Sequence, residues 1–368
     1  MPDASAAERL MSGRSWEEFC RTLESAGKTI LAPGSPEDPL DRAEGFRYLS
    51  RLARAALETF LEYADPLAPV LHRPVHETAK IGADNPDNYY QHATISGQYE
   101  YRITGTRGTI HYLDFATQSS GVASSGASRQ GGHLDAANLE IGPDGRFEIW
   151  LSCEPKKTNW LRMTPETTAL IVRQTYLDRE RETPAQLRIE RMGGDGKPTP
   201  LTPEALDAGL RAASGLVVGC AALFSGWAQG FQKHVNQLPR FDDSVSMGAG
   251  GDPNIAYYHS YWKLGPEEAL VIEVKPPVCE SWNFQLDNHW MESLDYRHHR
   301  IHVNKHTARY EPDGSVRIVV AHHDPGLPNW IETAGHAQGT MCFRWIRAEA
   351  HPQPATRVVR LSELGARA

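Results

Sequence analysis

Histidine is the reactive residue type that clusters in this chain. Nine of its 16 histidines lie between residues 259 and 336. They are His259, His289, His298, His299, His302, His306, His322, His323 and His336. Neutral imidazole is a general base near pH 7 and a common ligand of zinc, iron and copper. The cluster therefore indicates an acid–base site or a metal site, or else a polar, partly hydrated sheet face or cleft lining.

The metal alternative depends on which imidazoles share a face. On a β-strand, His298, Arg300 and His302 would point to one side, because side chains alternate between the two faces. His322 could add a ligand from a neighbouring strand. The candidate ligands are therefore His298, His302 and His322, although their spacing matches no established signature such as H-E-x-x-H.

Acid–base chemistry would need a base, a group that orients it and a group that binds the substrate. The candidate catalytic residues are His302, His322 and His323 as bases or ligands, Asp324 to orient an imidazole, and Arg344 to bind an anionic group. The candidate substrate-binding residues are Tyr89, Tyr258, Trp290, Asn304 and His336. This set favours hydrolysis or elimination.

Motifs for other chemistries are missing from the sequence. The glycine-rich stretch 248–251 neither follows a predicted strand nor opens a helix, as a dinucleotide fingerprint should. The sequence has no phosphate-binding G-x-x-x-x-G-K-[ST] and no G-x-S-x-G nucleophile elbow. We therefore expect no nucleotide or flavin cofactor. The two remaining alternatives are one divalent metal ion and no cofactor at all.

The chain repeats itself after 168 to 170 residues. Tyr89-Tyr90 recurs as Tyr257-Tyr258, Pro143-Asp144-Gly145 as Pro312-Asp313-Gly314, and Asn159-Trp160 as Asn329-Trp330. Such a long period indicates two copies of a domain-sized unit, and a cleft between two similar bodies is a frequent ligand site. The Asn-Trp pair, being shared, is expected to define the fold. Residues without an obvious counterpart are better functional candidates: His302, Asn304, His306, Asp324, His336 and Arg344.

The elements that must position these residues are mostly strands. Alternating apolar residues near 99–115 and 269–286, with Pro-Asp-Gly turns before 147–151 and 316–321, are typical of antiparallel sandwiches. Helical spacing predicts helices over 16–26, 44–63, 165–180 and 206–231, the last capped by Thr202. Residues 237–253 are predicted to be a loop, and the polar loop at 84–90 either lines a cleft or caps strands.

The predicted fold is mainly β with helical segments, of the α+β class. It has two tandem antiparallel β-sandwich units related by internal duplication, an N-terminal helix and a central helical insert. The predicted boundaries are 1–80 for the N-terminal helical segment and 81–162 for the first sandwich. The helical insert covers 163–240 and the second sandwich 241–368.

Composition and charge indicate which classes of binding partner to expect. The net charge is −8, 40% of residues are hydrophobic and 23% are charged. We expect no nucleic-acid partner, because no basic block or stripe is present. The N-terminus lacks the pattern of a signal peptide, and the longest apolar run, 216–224, is too short to span a bilayer. Five scattered cysteines without a C-x-x-C do not indicate a zinc ribbon or a disulfide framework. A cytoplasmic protein without a membrane partner is expected.

The C-terminal third resembles the bacterial domain-of-unknown-function family 1214. The resemblance lies in Asp313-Gly314-Ser315, Asp324-Pro325-Gly326 and Asn329-Trp330, with Gly335, Gly339 and Arg344, and is strongest over 255–348. A looser likeness runs through 84–90 and 159–190. The resemblance implies β-sandwiches and an upstream domain related to family 1254. The histidine-rich segment 297–306 departs from the commoner pattern of the family.

Three functions remain open. The leading hypothesis is an enzyme of the hydrolase or lyase type that acts on a small organic molecule in a histidine-rich cleft. The alternative is a non-catalytic protein that binds a small molecule or carbohydrate on the aromatic faces of Trp262, Trp282, Trp290, Trp330 and Trp345. The third is an assembly module in which the apolar seam of 206–231 forms the interface of a homo-oligomer.

Overall fold

Alternating apolar residues build two sets of strands in the computed structural model, which describes residues 4–119 and 129–364. The first set is β1 Asn88–Thr94, β2 Tyr101–Thr106, β3 Tyr112–Ser119, β4 Arg129–Asp135, β5 Arg146–Ser152, β6 Trp160–Arg162, β7 Thr167–Thr175 and β8 Gln186–Arg191. The second is β9 Ile255–Lys263, β10 Glu268–Val274, β11 Cys279–Leu286, β12 His302–Asn304, β13 Val316–Ala321, β14 Trp330–Glu332, β15 Gln338–Ala348 and β16 Ala355–Arg360.

Strand order repeats between the two sets. The first sandwich has sheets ordered β1-β7-β3-β4 and β6-β5-β2-β8, and the second has β9-β15-β11-β12 and β14-β13-β10-β16. The pairing is antiparallel except for β5 with β6 and β13 with β14, which are parallel. Each strand of the first sandwich thus corresponds to the strand eight positions later. The predicted duplication of a β-sandwich and the α+β class are confirmed.

The Asn-Trp pair defines the same turn in both copies. Asn159 and Asn329 have left-handed φ angles of 44° and 54°. The indole Nε1 of Trp160 and of Trp330 then donates to a carbonyl oxygen of the preceding strand, at 3.1 and 3.0 Å. Asparagine tolerates this backbone conformation better than most residues. The expectation that the shared pair is structural is confirmed.

Helices form a third body beside the sandwiches. They are α1 Ala6–Met11, α2 Arg14–Ile30, α3 Pro39–Leu57 with a π-helical turn Glu58–Glu62, α4 Pro203–Phe231 and α5 Asp243–Gly248. The predicted cap is present, because Thr202 Oγ1 accepts from the backbone N–H of Ala205 at 3.2 Å. The apolar faces of α2, α3 and α4 share one hydrophobic cluster.

Helix α4 as a whole is long and apolar, although its longest uninterrupted apolar run, residues 216–224, is short. By length and composition it is the one helix of the described residues that could cross a membrane, although half of its most apolar window is buried inside the protein. The core helix of a soluble protein has the same properties. Packing of the seam within the chain, rather than between chains, accounts for its buried residues.

Two predicted elements are wrong. Residues 165–180 were expected to be helical, but Thr167–Thr175 is β7, paired with both β1 and β3. The β-branched residues of this segment favour a central strand, where both faces are covered. The first sandwich therefore extends to Arg191, beyond the expected boundary at 162. The loop predicted at 237–253 contains the short helix α5.

Buried polar contacts attach α3 to the second sandwich. Trp290 Nε1 donates to the carbonyl oxygen of Asp41 at 2.7 Å, and His336 Nε2 lies 2.8 Å from Glu44 Oε2. Burial alone would lower the pKa of His336, but the hydrogen bond and charge of Glu44 raise it. Burial opposes ionisation of Glu44, yet His336 lowers its pKa. Trp290 and His336, both candidates for substrate binding, therefore join the helical layer to the sandwich.

Candidate functional site

A cavity of about 470 Å³ lies between the two sandwiches and helices α3 and α4. Its walls include Tyr90 and His92 of β1 and Tyr257 and His259 of β9. The alternate residues on these strands pack into the sandwich cores, because strand side chains point to opposite faces. The cavity is therefore bordered by the outer face of one sheet from each sandwich.

Each of these sheets carries a row of polar residues directly opposite one another on neighbouring strands. The first polar row is Tyr90, Arg173, Asp114 and Asp135, on β1, β7, β3 and β4. The second polar row is Tyr257, Arg344, Asn283 and Asn304, on β9, β15, β11 and β12. Directly opposed residues share a face of the sheet. The duplication therefore produces two equivalent rows, of which Tyr90, Arg173, Tyr257 and Arg344 line the cavity.

The sequence predicted Tyr89 and Tyr258 as substrate-binding residues, but the tyrosines of the two polar rows are their chain neighbours, Tyr90 and Tyr257. Strand pairing places Tyr90 opposite Arg173 and Tyr257 opposite Arg344, a separation of 167 residues rather than the expected 168. A shift of one residue moves a strand side chain to the other face. Tyr258 accordingly lies in the second core, where its hydroxyl donates to the carbonyl oxygen of His351 at 2.8 Å. Tyr89 packs against the first core.

Three residues thought to have no counterpart in the first copy do have one. By strand pairing, Arg344 corresponds to Arg173, Asn304 to Asp135, and His302 to His133. The expectation of asymmetry at these positions is therefore wrong. The flanking residues differ between the copies, so only the strand register shows the correspondence.

The loop before each sandwich crosses to the other sandwich. Asp87, which precedes β1, accepts hydrogen bonds from Asn283 Nδ2 at 2.9 Å and Asn304 Nδ2 at 3.0 Å. The same loops cap the cavity tyrosines, whose hydroxyls accept from the backbone N–H of Asn85 and of Asp252, both at 3.1 Å. The polar loop at 84–90 therefore both lines the cavity and caps a strand.

Arg344 carries a buried charge without an adjacent counter-charge. Its side chain donates to Asn283 Oδ1 at 3.2 Å, to Gln285 Oε1 at 2.5 Å and to the carbonyl oxygen of Ala83 at 2.6 Å. Across residues 4–119 and 129–364, no carboxylate oxygen lies within 4.0 Å of it, and the residue is only 3% exposed. Burial raises the pKa of nearby Asp287 to about 8, so this carboxyl is largely neutral at pH 7.

The arginine of the first row has acidic neighbours. Arg173 Nη1 lies 3.4 Å from Asp114 Oδ2, and Nη2 donates to the carbonyl oxygen of Gly250 at 2.8 Å. His133 Nε2 lies 2.5 Å from Asp114 Oδ1, and contact with this carboxylate raises the pKa of His133. Asp252 approaches from the crossing loop and lines the cavity.

Three further polar residues of the cavity wall are neutral near pH 7. Burial lowers the pKa of His92 and of His259 to about 3 and raises that of Tyr257 to about 12. The imidazole of His259 stacks on Tyr257 at 5.7 Å and on Phe231 at 5.5 Å. The wall also contains a second arginine, Arg173, and two aspartates, Asp84 and Asp252. The guanidinium of Arg344 lies on its aromatic side, 5.9 Å from the centre of the Tyr257 ring.

The predicted metal ligands do not converge. His298 lies in a turn rather than on a strand, and His302 and His322 contact different partners. In the part of the chain that the structure describes, one other group has ligand atoms close enough for a metal. Asp114, His133 and Asp252 each offer an atom within 4.8 Å of the others.

The candidate catalytic residues are separated. His302 Nε2 lies 3.2 Å from Asp87 Oδ1 in an open groove of about 730 Å³. Asn304 borders the same groove, where its Oδ1 accepts from the backbone N–H groups of His306 and Thr307. The hydrogen bond from His302 lowers the pKa of Asp87, although burial opposes this.

The other three candidates lie outside both the groove and the cavity. His322 Nδ1 is 2.9 Å from Thr333 Oγ1, and His323 is exposed. Asp324 Oδ1 accepts from the backbone N–H of Gly326 at 2.8 Å, which closes a turn. The prediction that Asp324 orients an imidazole is wrong, because Asp-x-Gly closes an Asx-turn on its own backbone. Arg344 is the one candidate catalytic residue on the cavity wall.

Comparison with known proteins places the chain in a family. Residues 266–350 match the family described as "Protein of unknown function (DUF1214)". A crystal structure of an uncharacterized protein from Burkholderia cenocepacia is 54% identical, covers 98% of this chain and 100% of that chain, and has a TM-score of 0.96. The VPA0106 protein from Vibrio parahaemolyticus is 13% identical over 86% of this chain and 98% of that chain; its TM-score of 0.50 indicates a likeness of fold alone.

No curated protein matches the sequence. The family match lies over β10 to β15, and so includes the strand that carries Arg344. The likeness to the Burkholderia structure runs over both sandwiches and the helices. The chain therefore belongs to the DUF1214 family.

Proposed function

We propose that the protein binds a small organic anion with an apolar body in the cavity between its sandwiches. The observation that carries this proposal is Arg344, a guanidinium 3% exposed that has only neutral hydrogen-bond acceptors. A buried charge without a partner costs several kcal/mol, of the order of 3–5, and an anionic ligand would remove that cost. Arginine also matches the geometry of a carboxylate or phosphate.

The rest of the cavity supports an apolar body for the ligand. Its wall includes Phe60, Ile81, Leu216, Phe224 and Trp227. The volume of about 470 Å³ would hold about 16 atoms of the size of a water molecule. A carboxylate with a chain of about ten carbons is within this limit, with its head at Arg344 and its chain against α4.

The test is calorimetric titration with decanoate, and with decan-1-ol as an uncharged control of similar length. Wild type is expected to bind decanoate at least about tenfold more tightly than the alcohol, a difference of about 1.4 kcal/mol. Arg344→Met should remove this preference while leaving the binding of the alcohol intact. Arg344→Lys, which retains the charge, should restore part of it.

Arg173→Met is the matched control, because Arg173 already has acidic neighbours. It should reduce the preference for decanoate less than Arg344→Met does. Equal binding of decanoate and decan-1-ol by the wild type would refute the proposal, as would an unchanged preference in a folded Arg344→Met variant. Circular dichroism establishes whether each variant is folded.

A second candidate function is an enzyme of the hydrolase or lyase type. The observation that favours it is the pair of His302 and Asp87, in which a buried carboxylate orients a partly exposed imidazole beside an open groove. Such a pair supplies a general base. Turnover of small ester and hydroxy-acid substrates should fall at least about a hundredfold in His302→Ala. Unchanged turnover would remove His302 from the mechanism.

The carbohydrate alternative loses four of the five rings on which it depended, and the fifth, Trp330, is partly buried. Trp262, Trp282, Trp290 and Trp345 are at most 1% exposed and pack in hydrophobic clusters. A buried indole has no free face on which a sugar could stack. Non-catalytic binding of a small molecule is therefore proposed for the cavity alone.

A further inference from the structure

We propose that Asp114, His133 and Asp252 form a binding site for a divalent cation of the zinc or manganese class. Asp114 and His133 lie on the neighbouring strands β3 and β4 of the first sandwich, and Asp252 lies on the loop that leads into the second. One ligand atom from each residue lies within 4.8 Å of the other two. Carboxylate oxygens together with imidazole nitrogen suit these metals.

Asp114 has an oxygen that lacks a hydrogen-bond donor. The residue is 0% exposed, and its Oδ1 receives no hydrogen bond. His133 Nε2 lies 2.5 Å away, but the direction of its ring N–H is outside hydrogen-bond geometry. Buried carboxylate oxygens are nearly always satisfied in native proteins, because an unsatisfied one costs about 1–3 kcal/mol. A cation at this position would satisfy Oδ1.

Asp252 is a second buried carboxylate aimed at the same place. It is 3% exposed, and its Oδ1 accepts from the backbone N–H and the Nδ2 of Asn254, at 2.8 and 3.1 Å. Within the described ranges, no Lys, Arg or His nitrogen lies within 4.0 Å of its carboxylate. The cations beside these two carboxylates are Arg173 and the imidazole of His133, and both lie against Asp114 rather than Asp252.

The second half of the chain shows how the same positions are satisfied without a cation. The residues that correspond to Asp114, His133 and Asp252 are Asn283, His302 and Asn85. There the two amides bind each other directly, because Asn283 Nδ2 donates to Asn85 Oδ1 at 2.7 Å. Two carboxylates have no proton donor to offer each other and repel. The pair of positions thus carries two carboxylates in the first half, beside Arg173 and His133, and two neutral amides in the second.

Three protein ligands leave coordination positions open, as in metal sites that bind a substrate or activate water. Asp252 lines the cavity, so the open side of the site would face its polar end. Cation binding does not depend on the proposed anion, because Asp114, His133 and Asp252 are sufficient to hold the cation. Its test accordingly needs no anion.

The experiment is equilibrium dialysis of the untagged full-length protein against Zn²⁺, with metal content measured by plasma mass spectrometry. Wild type is expected to retain about one equivalent per chain. His133→Ala, Asp114→Asn and Asp252→Asn should each weaken binding at least about tenfold. The asparagine variants should fold, since asparagine occupies both corresponding positions in the second half. Circular dichroism and a urea midpoint provide that check.

His302→Ala is the matched control, because it removes the corresponding imidazole from the other half. It should retain the full equivalent of zinc. Loss of zinc in His302→Ala but not in His133→Ala would place the cation in the histidine-rich segment and overturn the proposal. So would retention of zinc by Asp114→Asn and Asp252→Asn, or no zinc bound by the wild type. In the last case Arg173 and His133, rather than a metal, compensate the carboxylates.

Discussion

The two polar rows lie on corresponding strands of the two sandwiches but differ in charge. Beside its arginine the first row has Asp114 and the second has Asn283. Arg173 consequently shares its charge with acidic neighbours, while Arg344 faces the cavity with only neutral acceptors. Duplication has thus conserved the backbone and the arginine while changing the electrostatics around it. If both proposals hold, two pairs of side chains decide which half binds an anion and which attracts a cation.

The largest effect on the free energy of unfolding is expected when Asn283 of the second polar row is replaced by aspartate, the residue type at the corresponding position of the first polar row. Asn283 Nδ2 donates to Asn85 Oδ1 at 2.7 Å and to Asp87 Oδ2 at 2.9 Å. Asn283→Asp removes both donors and places a carboxylate against buried Asp87. We expect the free energy of unfolding, measured by urea denaturation at pH 7, to fall by about 3 kcal/mol or more. The reverse change, Asp114→Asn, should cost less than half as much, and equal costs would contradict the comparison.

Removing the acidic group near Arg344 should stabilise the protein at high pH. Burial raises the pKa of Asp287 from 3.8 to about 8. The unfolded chain therefore loses this proton at a lower pH than the folded protein, and stability falls as pH rises between the two values. Asp287→Asn removes this loss. Its free energy of unfolding should exceed that of wild type by at least about 2 kcal/mol at pH 9 and match it near pH 4. A constant difference at all pH values would contradict the shift.

The link between α3 and the second sandwich should depend on pH. His336 has a raised pKa, so its contribution is complete below its ordinary 6.5 and is lost as pH rises through the folded value. Glu44 has a lowered pKa, so its contribution is present above 4.5 and is lost as pH falls. The cost of His336→Ala should therefore be greater at pH 5.5 than at pH 8.5. Glu44→Gln should show the same trend, and thermal unfolding at the two pH values measures both.

Features that the two halves share should respond equally. The hydroxyls of Tyr90 and Tyr257 each accept from a loop backbone N–H at 3.1 Å. Tyr90→Phe and Tyr257→Phe should each lower the free energy of unfolding by about 1 kcal/mol, because each leaves one N–H without an acceptor. Urea denaturation of the two variants side by side provides the measurement. A difference of more than about 1 kcal/mol between them would show that the two loops are not equivalent.

The parts of the fold predicted correctly from the sequence are those specified by local signals. Helix α4 begins where Thr202 and Pro203 predicted, because an N-cap and a proline at the first helical position depend on neighbours in the chain alone. The Asn-Trp turns were found for the same reason. Strand β7 was missed because its consecutive apolar residues, Ala169 to Val172, hide the alternation that would identify a strand.

The candidate site was only partly predictable, because it depends on strand register and on contacts between distant residues. Arg344 was identified, but Tyr90 and Tyr257 were displaced by one residue in favour of Tyr89 and Tyr258. The partnership of Asp87 with Asn283 spans 196 residues of sequence. A crossing loop gives no local signal of which sandwich it will contact. The clustering of histidines in the sequence, in contrast, predicted one common site for residues that lie far from one another in the folded protein.

The crossing loops make the two halves resemble the subunits of a symmetric dimer, each of which lends a segment to the other. In a homodimer, both copies of a site must carry the same amino acid, since one gene encodes both. Joining the copies in a single polypeptide removes that constraint. One interface position can then be aspartate in one half and asparagine in the other, and the two sites can diverge in charge while keeping a common backbone.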